Sequence, residues 1–364
     1  MMIGASIGHR LVLTSFGESH GTLVGATLTG CPAGLPLNES DIQPILDKRR
    51  PGQSSITTQR KELDSVQILS GIYRQRSTGA PITMVIHNKD QKSADYDNLL
   101  NMPRPGHSDY TAKIRYGGYN DPRGGGIFSG RLTATQVMGG AIAGKLLLHT
   151  LDIQTLSYTI SIGNVQAAVP TDITYDDIYK NDTRCPDQDA ASRMKDAIVK
   201  ARGSGNTIGG VIESITTGVP PGLGEPIYNS LESDIASAIF SIPSVKGIEF
   251  GSGFAGSEST GSENNDIYTI HDNKIRTATN NSGGILGGIS NGMPIVFRAA
   301  FKPASSIAKP QDTINTETME AARIQVRGRH DPCVVPRAPP VVDAMTSLVL
   351  ADHAILTGHI GAVL

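Results

Sequence analysis

Apolar and polar residues alternate with a period of two near 10–16, 22–29, 64–69, 81–87, 153–162, 207–217 and 293–301. Helical spacing takes over at 41–50, 134–151, 188–202, 230–240 and 338–352. Strands and helices thus intermix along the chain, which predicts an α/β (α+β) class. The helix near 41 is best capped by Asp41, because that choice puts Pro44 in the first turn, where its missing N–H loses no partner. Lys48, Arg49 and Arg50 at its other end suit the helix dipole.

The pattern repeats. Thr29-Gly-Cys-Pro-Ala-Gly-Leu35 returns as Thr217-Gly-Val-Pro-Pro-Gly-Leu223, and Glu39-Ser-Asp-Ile42 as Glu232-Ser-Asp-Ile235. Gly79-Ala-Pro-Ile82 returns as Gly292-Met-Pro-Ile295, and the His-bearing turn at Gly106-His107-Ser-Asp109 as Gly328-Arg-His330-Asp331. Arg131 and Arg337 each stand just before a helix. Five matches in one order predict an internal duplication: one domain over 1–364, made of similar halves near 1–150 and 200–364 about a pseudo-twofold axis. The Gly, Ser and Asn-rich stretch 251–284 then reads as a long mobile loop inserted in the second half. The segment 110–130, packed with Gly and Arg, is extra to the first half, and this asymmetry points to the active site.

Composition narrows the classes. Lys and Arg number 32 and Asp and Glu 34, a formal net charge of −2, so the whole-chain balance argues against a nucleic-acid or anionic-membrane partner and any basic site must be local. No apolar stretch reaches the ~20 residues of a membrane span and no leader pattern opens the chain. Three cysteines, far apart and without a C-x-x-C pair, argue against disulfides and structural zinc, so a cytoplasmic location is expected. Trp is absent while Gly reaches 41, a bias toward shaped loops and close backbone approaches of the kind a large polar ligand needs.

Five segments carry candidate chemistry. Gly17-Glu18-Ser19-His20-Gly21 satisfies the G-x-S-x-G pattern of a hydrolase nucleophile elbow but fails its context, since the residues after Ser19 alternate like a strand where an elbow needs a helix. Arg104-Pro105-Gly106-His107-Ser108-Asp109 builds a turn flanked by Arg and His, which on its own reads more readily as a solvated loop. Arg123 to Thr133 is a Gly-rich loop entering a helix, where backbone N–H groups favour anions. A Gly-rich run from Gly283 to Gly292 continues through a strand to Lys302-Pro303-Ala304-Ser305-Ser306, a phosphate holder or a plain strand end. Arg327-Gly-Arg329-His330-Asp331-Pro332-Cys333, ahead of Arg337, is an ion cluster or a catalytic one.

In this order the five segments resemble the signatures of chorismate synthases, G-E-S-H-G, R-P-G-H-A-D, G-G-G-R-S-S-A-R-E-T, G-G-I-S-x-G with K-P-x-x-S-I, and G-R-H-D-P-C. The likeness spans residues 17 to 345. Asp47-Lys48-Arg49-Arg50-Pro51-Gly52 is similar to the family's D-R-R-R-P-G. Departures are Ser108 for Ala, Ile127 and Phe128 in the Gly-rich loop, Thr29 where Asp is common, and Ser55 where some members carry Arg.

The resemblance implies antiparallel sheets in the two halves and a lyase that removes phosphate from 5-enolpyruvylshikimate 3-phosphate by anti 1,4-elimination to give chorismate. Reduced FMN is required without net redox change. The resemblance further implies a homotetramer, with NADPH only as an indirect source of electrons through an external flavin reductase. By resemblance His107 would protonate the departing phosphate and His20 would keep the flavin in its useful protonation state. Asp331, Ser19 and Ser129 would relay the ring proton. Flavin contacts would come from Ser129, Pro243, Ser244, Gly287, Lys302, Pro303, Ala304, Ser305, Ser306 and Arg329. Arg49, Arg50, Arg104, Arg131 and Arg337 are the candidate holders of a substrate with two carboxylates and a phosphate, because planar guanidinium forks bind oxyanions bidentately. The alternative is a catalytically silent flavin or phosphate binder on the same scaffold. No G-x-G-x-x-G fingerprint follows a strand with an acidic residue about 20 positions on, so no dinucleotide fold for an intrinsic reductase is expected.

Overall fold

A computed structural model describes residues 3–58, 62–89, 100–326, 328 and 330–364. The alternating segments become strands β1 (Val12–Gly17), β2 (Leu23–Thr29), β3 (Gln67–Ile68), β4 (Ile82–His87), β5 (Gln154–Ile162), β6 (Gly210–Thr217), β7 (Val245–Phe250) and β8 (Ile295–Phe301). Those with helical spacing become α1 (Glu39–Arg49), α2 (Thr133–Leu151), α3 (Gln188–Gly203), α4 (Leu231–Phe240) and α5 (Pro339–Leu356).

The strands form two antiparallel five-stranded sheets with the same order. The first runs Ser6–Ile7, β1, β2, β4, β3, and the second runs Val165–Gln166, β5, β6, β8, β7. β2 and β6 therefore hold the same central place, and α1 and α4 follow them just as α2 and α5 follow β4 and β8. The register agrees to the residue: Leu28 pairs with Ile82 and Thr216 with Ile295, each pair one position from the repeated Thr29 or Thr217. The second sheet starts at Gln154 rather than near 200, because β5 has the place that β1 has in the first.

Two further expectations are corrected. Asn38, not Asp41, caps α1: its side chain accepts from the Ser40 N–H at 2.8 Å while the Asp41 carboxylate accepts from the Asn38 N–H at 2.9 Å. This reciprocal pair outweighs the first-turn preference of Pro44, which lies one turn further in and forfeits one backbone bond. The stretch 251–284 is not a bare loop. It holds a 3₁₀ turn (Gly253–Glu258), a short helix (Gly261–Asn264) and a hairpin (Tyr268–His271 with Lys274–Thr277), and the Asp266 carboxylate accepts from the Asn281 and Ser282 N–H groups at 2.7 and 2.9 Å.

α2 and α5 pack together between the sheets, and apolar side chains from both halves form one continuous core. The crossing needs a small residue, since a Cβ at Gly140 would lie 2.3 Å from the Ala344 Cβ; on the sheet side of α2, one at Gly139 would lie 2.4 Å from Leu13 of β1. Among the described residues no helix is long and apolar enough to cross a membrane.

Candidate active site

The turns at one end of both sheets converge on a cavity of about 680 Å³, within the usual range for small-molecule sites. The first half contributes Ser19 from the β1–β2 turn, Arg49 from the end of α1, the 104–108 turn, and the Gly-rich loop running into α2. The second half contributes the α4–β7 turn, the end of β8, and residues 330–341 leading into α5. Arg131 and Arg337, the repeated arginines, both line it.

Each polar group is set by its neighbours. β2, a strand, follows Ser19, so the G-x-S-x-G sequence is a hairpin turn and the elbow reading fails on geometry. Asn88 ties that turn to the arginines, its amide donating to the Glu18 and Gly21 carbonyls at 3.1 and 2.8 Å while its oxygen accepts from Arg131 Nε at 2.9 Å. Gly124, Gly125 and Gly126 all take left-handed backbone, φ 60°, 85° and 53°. A Cβ at Gly124 would lie 2.2 Å from the His20 ring, so the loop closes over His20 only because no side chain is there. His20 is buried behind Gly124 and is not among the residues lining the cavity.

His107 lines the cavity, with its Nδ1 2.6 Å from Asp109 Oδ1. Asp109 also grips Arg104 in a two-point fork, at 2.8 and 2.7 Å. Burial works against the Asp109 charge, but hydrogen bonds from Arg104 and His107 overcome it and hold its carboxyl well below the usual carboxylate range. With Nδ1–H committed to Asp109, Nε2 is the nitrogen left to exchange a proton. The second half braces this turn: Lys302 Nζ and Ser305 Oγ both donate to the Gly106 carbonyl at 2.6 Å, and Arg104 donates to Ser306 Oγ at 2.9 Å. Asp331 accepts from the Thr58 N–H at 2.8 Å and pairs with Arg337.

Of the residues singled out from sequence, the cavity brings together Ser19, His107, Ser129, Asp331, Pro243, Ser244, Lys302, Ala304, Ser305, Ser306, Arg49, Arg104, Arg131 and Arg337. Arg50, at the C-terminal cap of α1 and 3.8 Å from Asp47, is not a lining residue, and neither are Gly287 and Pro303. Arg329 lies outside the described residues. Sequence reasoning missed Asp64, Asn88, Thr58 and Lys246, none of which stands in one of the five motifs. It quoted Asp109 and Thr133 without a role. Ile127 and Phe128 line the cavity as an apolar wall, whereas Thr29 is exposed at the end of β2.

A two-sheet α+β scaffold whose halves jointly enclose arginines, an acid-paired histidine and a glycine cradle is that of an enzyme for a small polyanionic ligand. The model of the chorismate synthase family matches residues 11–355. The chain is 51% identical to the chorismate synthase of Korarchaeum cryptofilum over 356 residues, covering 97% of this chain and 98% of the relative. It is 49% identical to that of Dehalococcoides mccartyi over 361 residues, covering 99% of each. A crystal structure of a chorismate synthase superposes with a TM-score of 0.74 at 28% identity, covering 96% of this chain and 93% of that one. The chain belongs to the chorismate synthase family, and it is a lyase of the shikimate pathway.

Proposed function

We propose that the cavity binds 5-enolpyruvylshikimate 3-phosphate beside reduced FMN and eliminates phosphate and a ring proton to leave chorismate. The observation that carries this reading is the meeting, in one cavity, of His107, Ser129 and Asp331 with Arg104, Arg131 and Arg337. The residues present fit a flavin: the apolar Ile127, Phe128, Ile242 and Val245 that line the cavity suit a flat ring, and Lys302 with Ser305 and Ser306 suits a phosphate. Ser129, Pro243, Ser244 and residues 302–306 would hold it, with Gly287 and Arg329 as further candidates.

When bound, reduced FMN supplies electron density to the substrate ring as the C–O bond to phosphate breaks, with no net oxidation. The chain's own groups do the rest. The arginines neutralise and orient the carboxylates and phosphate. His107, its Nδ1 proton held by Asp109, delivers a proton from Nε2 to the departing phosphate. Asp331, with Ser19 and Ser129, accepts and passes on the ring proton, and His20 behind Gly124 sets the protonation of the flavin side. We place the enzyme in the cytoplasm as a homotetramer fed with reduced flavin by a separate reductase that draws on NADPH.

Anaerobic phosphate release tests the reading. Substrate with photoreduced FMN releases phosphate over many turnovers while the flavin spectrum stays reduced, and oxidised FMN with NADPH alone gives none. Absence of phosphate release with reduced FMN sinks the proposal, and flavin oxidation in step with product contradicts the mechanism.

A further inference from the structure

Asp64 lies outside the cavity lining, fully buried, behind two of the arginines that line it. Its backbone is left-handed, φ 50°, a conformation that Asp and Asn tolerate better than most residues and that here accompanies a carboxylate turned between two guanidiniums. Oδ2 accepts from Arg49 Nη1 at 2.8 Å, and Oδ1 pairs with Arg131 Nη1. The two arginines then differ. Arg49 also donates from Nε to Thr133 Oγ1 at 2.8 Å and from Nη2 to the Gly130 carbonyl at 2.6 Å, so every one of its nitrogens is engaged with protein. Arg131 donates from Nε to Asn88 and from Nη1 to Asp64, and its Nη2 is buried with no partner.

We propose that Asp64 is a positioning residue that sorts these guanidiniums, locking Arg49 as a brace and holding Arg131 so that its free Nη2 meets an oxyanion of the substrate. A buried donor without a partner is costly, and a negatively charged ligand oxygen is the acceptor that relieves it. The charge count agrees, since Arg49, Arg131 and Arg337 face Asp64 and Asp331, leaving one positive charge for an anion. Burial disfavours the Asp64 charge, yet Arg49 and Arg131 hold its carboxyl below the ordinary value, so it stays an anion through neutral pH.

The inference rests on the substrate reading above, and its test separates the two. Calorimetric affinity for 5-enolpyruvylshikimate 3-phosphate is measured for wild type, Asp64→Asn, Arg131→Ala and the double variant, each checked for folding by thermal unfolding. Asp64→Asn weakens binding ~10- to 100-fold, the worth of one charge-assisted hydrogen bond, and adds nothing further once Arg131 is Ala. Losses that add, or an Asp64→Asn affinity within about twofold of wild type, overturn the proposal, because a merely structural carboxylate acts independently of Arg131. Asp64→Glu, which keeps the charge and displaces its oxygens, carries the same cycle if Asp64→Asn does not fold. Wild type that fails to bind the substrate sinks the reading beneath and this proposal with it.

Discussion

Asp343 stands in the first turns of α5 with its Oδ1 buried and without a hydrogen-bond partner. Burial pushes its carboxyl up to about 8, against the opposing pull of Ser157 and of the Lys48 charge. The unfolded chain ionises an Asp near pH 4 whereas the native one keeps the proton until about 8, so the unfolded state binds fewer protons across that window and stability falls as pH rises through it. Asp343→Asn removes this slope and should stabilise the protein by ~1–3 kcal/mol above pH 8 with little change near pH 4. Unfolding midpoints of the two proteins that stay parallel from pH 4 to 9 would refute it. The same scale explains what could be read of the site from sequence. His107, Arg104, Ser129 and Asp331 stand in turns whose Gly and Pro residues mark them. Asp64 sits in an irregular stretch expected to be strand, and its role comes from Arg131, 67 positions away, so nothing local announces it.

At the scale of elements, the α2–α5 crossing rests on Gly140, whose missing side chain admits Ala344. Gly140→Val should destabilise by ~1–3 kcal/mol through overpacking, offset in part by better helix propensity. Because α2 begins at Thr133, a few residues after the Gly-rich loop, activity should fall together with the melting temperature. Gly203→Ala, with nothing within 4 Å of the added Cβ, serves as the control. A Gly140→Val protein with an unchanged melting temperature would show that the helices part freely. Long periodic elements were legible because one face of each meets the core, as α3 and β6 do. β7 was not, since Gly247 follows an irregularity in its register and four of its six residues are half-buried, which blurs the alternation. The hairpin Gln311–Asn315 with Glu320–Ile324 carries too few buried residues to show a period, and the helix Asp109–Arg115 buries only Ala112.

For the whole molecule, two sheets of the same strand order raise the question of whether each half is a folding unit, and the cross-connections argue that neither is. Asp352 near the end of α5 accepts from the backbone N–H groups of His9, Arg10 and Leu11 at 2.7, 2.6 and 2.7 Å, fixing the entry to β1 from the far end of the sequence. Leu364 donates its N–H to the Ala33 carbonyl at 2.9 Å, and Ala33 donates back to Ala362 at 3.0 Å, so the last residues stitch onto the first half. α2 would expose a largely apolar face without α5, and the 302–306 segment of the second half holds the His107 turn of the first. Chains of this length often unfold in steps, but stepwise unfolding needs a part that survives alone, and here each half supplies the other's missing layer. Urea unfolding followed by far-ultraviolet circular dichroism and by tyrosine fluorescence, to which buried Tyr158 of the second half contributes, should give coincident single transitions. A fragment of residues 1–152 should lack cooperative unfolding. Two separated transitions, or a fragment that melts cooperatively, would mean that a half folds by itself and that the shared core is a docking surface between two domains.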